Sequence, residues 1–426
     1  MTNTTAIINQ LEKGEYDTCL RELYVDEEKT AGQKARYQQG IQSYVDYFGE
    51  GEVEIYSAPG RSEIGGNHTD HQHGEVLAAS INNDAIAIVK PLGEPAVKIV
   101  SEGYDMITLS LDNITMKEEE RESTPALIKG VLAGVKQRGY KIGGFQAYIT
   151  SDVLIGAGLS SSAAYETLLG TILSGLYNDG KISPIEIARI GQYAENVYFG
   201  KPCGLMDQMA CSVGNLVHID FAKPDEPKVR KIDFDFNKAG YSLCITDTKG
   251  SHADLTADYA AIPEEMKAVA DFFGKKVLVE VSREQLLDQI VKVRAVAGDR
   301  AVLRALHFIC ENERVQKEAE ALRQGKVSEF FDLVKASGDS SFKYLQNVYS
   351  NQDVGHQNVS IALALSDMVL EEKGVSRVHG GGFAGTVQAF VKNEIVAGYQ
   401  KKMDNVFGKG SCRVLKIRKY GGIKVF

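Results

Sequence analysis

The sequence lacks paired cysteines, a leader-like segment and long apolar runs. Its six cysteines are scattered and include no Cys-x-x-Cys pair, which fits neither a zinc ribbon nor a disulfide scaffold. No stretch approaches the roughly eighteen apolar residues that a membrane span needs, and the first residues show no basic start followed by an apolar core. We therefore expect a cytoplasmic protein, in a reducing compartment, that is neither exported nor membrane-spanning.

An excess of positive charge is also missing. Lysine and arginine total 48 against 57 acidic residues, a formal net charge of −9, which is the wrong sign for gripping nucleic acid or anionic lipid by bulk electrostatics. The 43% hydrophobic and 25% charged residues are ordinary for a globular protein, and 426 residues predict two or three domains. We expect a small-molecule partner, with no nucleic acid and no membrane.

The hydrophobic pattern predicts a mixed α and β protein. Within residues 31–49, Ile41, Tyr44, Val45 and Phe48 fall at helical spacing, which predicts a helical segment over 1–50. From residue 53, short β-rich runs alternate with helical segments in both halves of the chain. Residues 222–240 are polar and hold two of the nine prolines, so they are the candidate connection between two lobes. Further on, we expect helices near 283–297, 299–323 and 357–373, and Ser282 with Gln285 predicts a capping box at the start of the first.

One glycine-rich cluster, GAGLSSSAA at 156–164, follows a β-like run and opens a helix. Backbone N–H groups and the helix dipole at such a start face an anion such as a phosphate, and the serine hydroxyls could bind phosphate oxygens or magnesium. A small-residue turn with a serine N-cap is the alternative. The segment is neither a Walker loop nor a complete dinucleotide fingerprint, because it lacks Gly-Lys-Ser/Thr and a full GxGxxG.

Two further clusters are polar or glycine-rich. The first, SAPGRSEIGGNHTDHQHG at 57–74, suggests a ligand site, with a solvated loop as the alternative; partners at zinc spacing are missing. Its polar residues include Arg61, His68, Asp70, His71 and His73. The second, GGGFAG at 380–385, lies between a helix and a strand and permits either close approach to a ligand or a tight structural turn.

Taken in order, these clusters resemble the three motifs of the GHMP small-molecule kinases. APGR at 58–61, HTD at 68–70 and KPCGLMDQMACSVG at 201–214 resemble the galactokinase branch of that family. The resemblance covers roughly residues 55–426 and implies a two-lobed α+β fold, with an N-terminal lobe like domain 2 of ribosomal protein S5 and a ferredoxin-like C-terminal lobe. We expect a helical extension at 1–50 and the two lobes at 51–230 and 231–426.

The resemblance implies a monomeric enzyme that uses ATP and Mg²⁺ to phosphorylate D-galactose at its anomeric hydroxyl, giving α-D-galactose 1-phosphate. Asp207 matches the proposed catalytic carboxylate and Arg61 the arginine beside it, although an ordinary ion pair is the alternative. Ser162 and Glu195 match the magnesium ligands, and oxygen ligands are what Mg²⁺ prefers. The implied ATP-binding residues are Ser101, Gly156, Ala157, Gly158, Leu159, Ser160, Ser161 and Ser162.

The implied sugar-binding residues include one departure from the family pattern. They are Asn67, His68, Asp70, Gly204 and Tyr259. Asn67 stands where galactokinases usually carry a glutamate that contacts the C6 hydroxyl, and asparagine no longer repels a C6 carboxylate. Galacturonate, N-acetylgalactosamine and arabinose therefore remain alternative substrates. The alternatives from other classes are a non-catalytic galactose sensor and a Rossmann dehydrogenase, the latter without a complete glycine fingerprint.

Overall fold

A computed structural model describes residues 1–26, 29–153, 158–250 and 255–426. The chain forms two compact units that interleave along the sequence. Unit 1 comprises Met1–Arg61, Ala79–Asn215 and Lys416–Phe426, and unit 2 comprises Ser62–Ala78 and Leu216–Leu415. The expected extension and lobes were continuous segments, and their boundaries stay a prediction. Two long strands explain the interleaving, because the chain passes from one unit to the other inside each of them.

The strands are β1 (Thr2–Asn3), β2 (Glu52–Gly65), β3 (Glu75–Pro91), β4 (Ala96–Ser101), β5 (Ile107–Ser110), β6 (Phe145–Ser151), β7 (Leu216–Asp220), β8 (Lys228–Ile232), β9 (Tyr241–Asp247), β10 (Gly374–His379), β11 (Thr386–Lys392), β12 (Cys412–Leu415) and β13 (Ile423–Lys424). The helices are α1 (Thr4–Glu12), α2 (Asp17–Tyr24), α3 (Thr30–Phe48), α4 (Thr124–Gln137), α5 (Ser161–Asn178), α6 (Pro184–Tyr193), α7 (Met206–Val213), α8 (Thr256–Phe272), α9 (Arg283–Asp288), α10 (Ile290–Ala297), α11 (Asp299–Arg323), α12 (Val327–Ser340), α13 (Asn358–Leu370) and α14 (Val396–Phe407). None of these helices is long and apolar enough to cross a membrane.

Unit 1 is built on a sheet with strand order β1-β2-β3-β6-β4-β5, in which β13 also pairs with β2. The sheet separates two hydrophobic cores. Ala85, Ala87 and Val89 pack with residues of α4, α5 and α6, whereas Ile86 and Ile88 pack with residues of α1, α2 and α3. Successive side chains of a strand point to opposite faces, so a strand covered on both faces is apolar throughout. The apolar run AIAIV at 85–89 reflects this double coverage, and the N-terminal helices form one of the two layers.

Unit 2 contains an antiparallel sheet with strand order β10-β11-β9-β12 and helices α8 to α14. Strand β8 lies within the polar stretch 222–240 that the sequence suggested as a connection, and it pairs antiparallel with β7. The predicted capping box is confirmed: Ser282 Oγ accepts from the Gln285 N–H at 3.2 Å, and the Gln285 side chain accepts from Ser282 N–H at 2.9 Å. The two-lobed α+β fold that the sequence predicted is therefore present.

Candidate active site

The centre of the site in unit 1 is an ion pair between Arg61 and Asp207. Arg61 Nε donates to Asp207 Oδ1 at 2.7 Å, and Nη2 donates to Oδ2 at 2.8 Å. The remaining arginine nitrogen, Nη1, donates to the carbonyl of Gly158. Ser160 Oγ donates to Asp207 Oδ2 at 2.7 Å. The structure therefore brings together four residues that the sequence assigned to catalysis or to the glycine-rich cluster at 156–164, the predicted phosphate loop.

These contacts keep Asp207 ionised. Burial raises the pKa of the carboxyl, but the Arg61 charge and the hydrogen bonds from Arg61 and Ser160 outweigh burial and lower the pKa below its usual 3.8. Asp207 also lies in the first turn of α7, where the helix dipole favours a negative charge. The side chain is still 29% exposed, so one part of the carboxylate remains open to a ligand.

Glycine at position 60 lets β2 run close to the phosphate loop. A Cβ atom there would lie 2.8 Å from the carbonyl oxygen of Leu159 and 2.9 Å from a methyl group of Val153, which is closer than real Cβ atoms approach. The Arg61 N–H donates to that same Leu159 carbonyl at 3.0 Å. The short motif APGR thus places its arginine by allowing backbone contact one residue earlier.

Helix α5 begins at Ser161, within the described part of the phosphate loop. Ser160 is the N-cap of this helix, and its backbone lies in the left-handed region (φ 57°). Two predicted loop residues, Gly156 and Ala157, lie outside the described residues. Ser162 Oγ, in the first turn of the helix, donates to Glu195 Oε1 at 3.2 Å. The sequence assigned these two side chains to one magnesium ion, and the structure places them in contact.

Sequence reasoning missed two residues of this cluster, Glu166 and Gln208. Gln208 Nε2 donates to Glu195 Oε2 at 2.9 Å and to Glu166 Oε2 at 3.1 Å, so one amide joins two buried carboxyl groups. Burial, followed by the nearby Glu195 charge, raises the pKa of Glu166 well above its usual range. The available signals were a lone glutamate in the apolar helix α5 and a glutamine directly after Asp207.

Other predicted residues of unit 1 lie near or apart from this centre. Gly204 is part of the segment leading into α7, three positions before Asp207. Ser101 is the last residue of β4 and is partly exposed. No described hydrogen bond joins either residue to the Arg61 and Asp207 pair.

In unit 2, predicted sugar-binding residues converge on the glycine turn at 380–382. Three successive carbonyls of this turn each accept a hydrogen bond from one of them. The bonds are Asn67 Nδ2 to Gly380 at 2.7 Å, His68 Nε2 to Gly381 at 3.1 Å and Tyr259 Oη to Gly382 at 2.8 Å. The Tyr259 ring also contacts Phe383, with ring centroids 5.1 Å apart. The clusters at 57–74 and 380–385 of the sequence therefore meet at this turn.

His68 and Asp70 differ in their surroundings. Burial, and after it the neighbouring His71, lowers the pKa of His68 to about 4, so its imidazole is neutral at pH 7 and donates through Nε2. Asp70 Oδ1 accepts from the backbone N–H of His71 at 3.0 Å. The Asp70 side chain is 13% exposed. Its second oxygen has no hydrogen bond among the described contacts and is available to a ligand.

Two protein-family models match the chain: the N-terminal domain of GHMP kinases over residues 126–215, and the galactokinase galactose-binding signature over residues 42–91. The galactokinase of Limosilactobacillus reuteri (strain DSM 20016) is 29% identical over 385 residues, covering 87% of this chain and 94% of the relative. The galactokinase of Clostridium tetani (strain Massachusetts / E88) is 27% identical over 375 residues, covering 86% of this chain and 91% of the relative.

Solved structures give the same assignment. The galactokinase of Lactococcus lactis, solved in complex with galactose, superposes with a TM-score of 0.77 at 25% identity, covering 90% of this chain and 98% of the other. The mevalonate kinase of Methanococcus jannaschii has a TM-score of 0.59 at 17% identity, with 87% and 99% coverage, and shares the fold. The family models, the relatives and the fold agree, and the chain resembles the galactokinase branch of the GHMP kinases.

Proposed function

We propose that the chain transfers the γ-phosphoryl group of ATP to the anomeric hydroxyl of D-galactose and so makes α-D-galactose 1-phosphate. The observation that carries this proposal is the partly open, ionised Asp207, held by Arg61 and Ser160 beside the phosphate loop of a galactokinase-branch protein. A carboxylate in this state can accept a hydrogen bond from a sugar hydroxyl and leave the hydroxyl oxygen directed towards the phosphoryl group.

Asp207 and Arg61 have distinct roles in this reaction. Asp207 accepts the proton of the anomeric hydroxyl as the new O–P bond forms and the bond to the ADP oxygen breaks. Its lowered pKa makes it a weak base, which suits a loose phosphoryl-transfer transition state that needs orientation and charge neutralisation more than strong basicity. The Arg61 guanidinium contributes positive charge at the same place.

ATP binding is assigned to the phosphate loop and the start of α5. The first N–H groups of an α-helix have no partner within the helix, and the dipole adds positive potential there. Ser161 adds a hydroxyl donor at this point, and Ser160, whose hydroxyl donates to Asp207, is assigned to the same segment. We also assign Gly156, Ala157, Gly158, Leu159 and, at the end of β4, Ser101 to nucleotide binding.

Ser162 and Glu195 fit a magnesium site. A hydroxyl and a carboxylate oxygen lie 3.2 Å apart, and both are oxygen ligands of the kind that Mg²⁺ prefers. When bound, the ion would neutralise charge on the ATP phosphates. Gln208 keeps the second oxygen of Glu195 occupied, so only Oε1 faces Ser162.

Sugar recognition is assigned to the loop that contains Asn67, His68 and Asp70, together with Gly204 and Tyr259. The free Asp70 oxygen can accept hydrogen bonds from vicinal sugar hydroxyls. Glu63 Oε1 lies 3.1 Å from Asn67 Nδ2 and accepts from Arg377 Nη2 at 2.8 Å. This carboxylate is therefore paired with a buried arginine and does not choose between galactose and galacturonate.

An ATP-consumption assay with Mg²⁺ tests the proposal. Galactose, galacturonate, N-acetylgalactosamine, arabinose and glucose should be compared, beside Asp207→Asn. We expect turnover to be led by galactose and to fall by about 10³-fold in Asp207→Asn. If galacturonate leads, the kinase assignment holds but the substrate is wrong. If galactose binds without turnover, the chain is a sensor.

We also propose that the enzyme works as a monomer in the cytoplasm. The cysteines support a reducing compartment, because all six lie in the described residues as free thiols.

A further inference from the structure

The Asn67 side chain has every hydrogen-bonding position occupied by protein groups. Its Nδ2 donates to Glu63 Oε1 at 3.1 Å and to the Gly380 carbonyl at 2.7 Å. Its Oδ1 accepts from Asn347 Nδ2 at 2.8 Å and from Ser341 Oγ at 3.3 Å. A primary amide offers two donor hydrogens and two acceptor lone pairs, so the set is complete. The residue has 0% exposed surface.

The partners also fix which way the amide points. The Gly380 carbonyl can only accept, so the atom facing it must be the nitrogen. The backbone of Asn67 is held as well: its N–H donates to Glu311 Oε1 at 3.4 Å, and its carbonyl accepts from His307 Nε2 at 3.0 Å. Turning the amide towards a ligand would leave several buried polar groups unpaired, which is costly.

We infer that Asn67 is a positioning residue: it fastens the loop at 66–70 to the glycine turn at 380–382 and makes no bond to the C6 group of the sugar. The inference rests on the proposed function and narrows it. His68 and Asp70 lie one and three positions after Asn67 in this loop, so their placement depends on it. The asparagine that replaces the family's glutamate then changes how the loop is held. Residues other than Asn67 discriminate between sugars that differ at C6.

Steady-state kinetics with D-galactose and 6-deoxy-D-galactose test this role, because the second sugar lacks only the C6 hydroxyl. In Asn67→Ala we expect KM to rise about tenfold for both sugars, so that the ratio of their kcat/KM values stays within about twofold of the wild-type ratio. A large loss for galactose with little loss for 6-deoxygalactose would show a direct bond to the C6 hydroxyl and overturn the inference.

Asn347→Ala provides a second variant that leaves Asn67 in place. It removes the strongest contact to the Asn67 oxygen, so KM should rise for both sugars again. The double variant should lose less than the product of the two single losses, because both changes break the same connection. Independent, multiplicative losses would contradict a shared positioning role.

Met403→Ala controls for general loss of stability. Met403 is fully buried in a separate hydrophobic cluster of unit 2. The Met403→Ala variant should have a lower melting temperature and an unchanged KM for either sugar. If its KM rises as much as that of Asn67→Ala, the inference is overturned. If the wild-type enzyme does not phosphorylate galactose, the proposed function fails and this inference with it. If the wild-type enzyme does phosphorylate galactose, but Asn67→Ala lowers kcat/KM for galactose much more than for 6-deoxygalactose, only the inference about Asn67 is overturned.

Discussion

Arg61 and Asp207, 146 positions apart in the sequence, share two parallel hydrogen bonds of 2.7 and 2.8 Å. Such a two-pronged pair fixes the plane of the carboxylate as well as its charge, because the guanidinium is rigid and planar. The orientation of Asp207, the proposed catalytic carboxylate, therefore depends on Arg61 in strand β2.

Arg61→Ala should introduce a pH dependence that the wild-type enzyme lacks. In the wild type, the pKa of Asp207 lies below 3.8, so its protonation should not reduce kcat/KM between about pH 5 and 8. Without Arg61, burial is less opposed and the pKa rises, so activity should fall as the pH is lowered through this range. Overall kcat should also fall by about 10²-fold or more. If kcat/KM of Arg61→Ala does not change from pH 5 to 8, this account is contradicted. The pH dependence of Arg61→Lys should lie between those of the wild type and Arg61→Ala.

Glu195→Gln should weaken the dependence of nucleotide binding on Mg²⁺. The variant keeps the shape of the side chain and removes the charge that faces Ser162. Calorimetric titration with a non-hydrolysable ATP analogue should show that about tenfold more Mg²⁺ is needed for half-maximal binding. Glu118→Gln is the matched control, because Glu118 is an exposed carboxylate of the same unit, 72% accessible. If both variants need the same Mg²⁺ concentration, Glu195 is not a ligand of the proposed magnesium site.

Gly60→Ala should damage the site through the backbone. The added Cβ would push the Leu159 carbonyl and Val153, so the phosphate loop must shift. We expect a rise in KM for ATP of about tenfold, because misplaced binding groups lose affinity steeply. Gly93→Ala is the control, since a Cβ there would meet no atom within 4 Å. Unchanged ATP kinetics in Gly60→Ala would show that the loop adjusts freely.

Asp84→Asn should destabilise the chain strongly. Asp84 is fully buried and accepts from Arg36 Nη1 at 2.7 Å and Arg418 Nη1 at 2.9 Å. Removing its charge leaves two arginines without their buried partner, and we expect a loss of about 3–5 kcal/mol in the free energy of unfolding. Urea denaturation measures this loss, and the exposed Asp105→Asn should change it by less than about 0.5 kcal/mol.

The same aspartate gives a sign for the pH dependence of stability. Burial raises the pKa of Asp84, but the two arginines lower it below 3.8 overall. A carboxyl whose pKa is lowered by folding stabilises the protein above its unfolded value, and this contribution is lost as the pH falls towards the folded value. Wild type should therefore lose stability below about pH 4 more steeply than Asp84→Asn does.

Features set by neighbouring residues could be predicted from the sequence. The motifs around Arg61 and Ser160, the strand runs and the Ser282 capping box depend on local spacing, and the structure contains them. Helix α11 spans Asp299–Arg323, the range that the sequence predicted for it. The predicted helix at 283–297 is interrupted at Gln289, between α9 and α10, without a glycine or proline to mark the break.

Features set by distant partners could not be predicted. Glu166 reads as one polar position in an apolar helix, and its role depends on Gln208 and Glu195 from other elements. Likewise, nothing near Asn67 in the sequence indicates that Asn347 and Gly380 will occupy its amide. Hydrogen-bond saturation is a property of the folded chain, and it changes the role one assigns to a residue.

Residues Lys416–Phe426 belong to unit 1, where β13 pairs with β2 and Arg418 pairs with Asp84. During translation, the ribosome makes the whole Leu216–Leu415 segment of unit 2 before it reaches them. A nascent chain that has emerged up to Asn215 thus carries Asp84 without one of its two arginines. Unit 1 should therefore complete its folding only after the Leu216–Leu415 segment of unit 2 has left the exit tunnel.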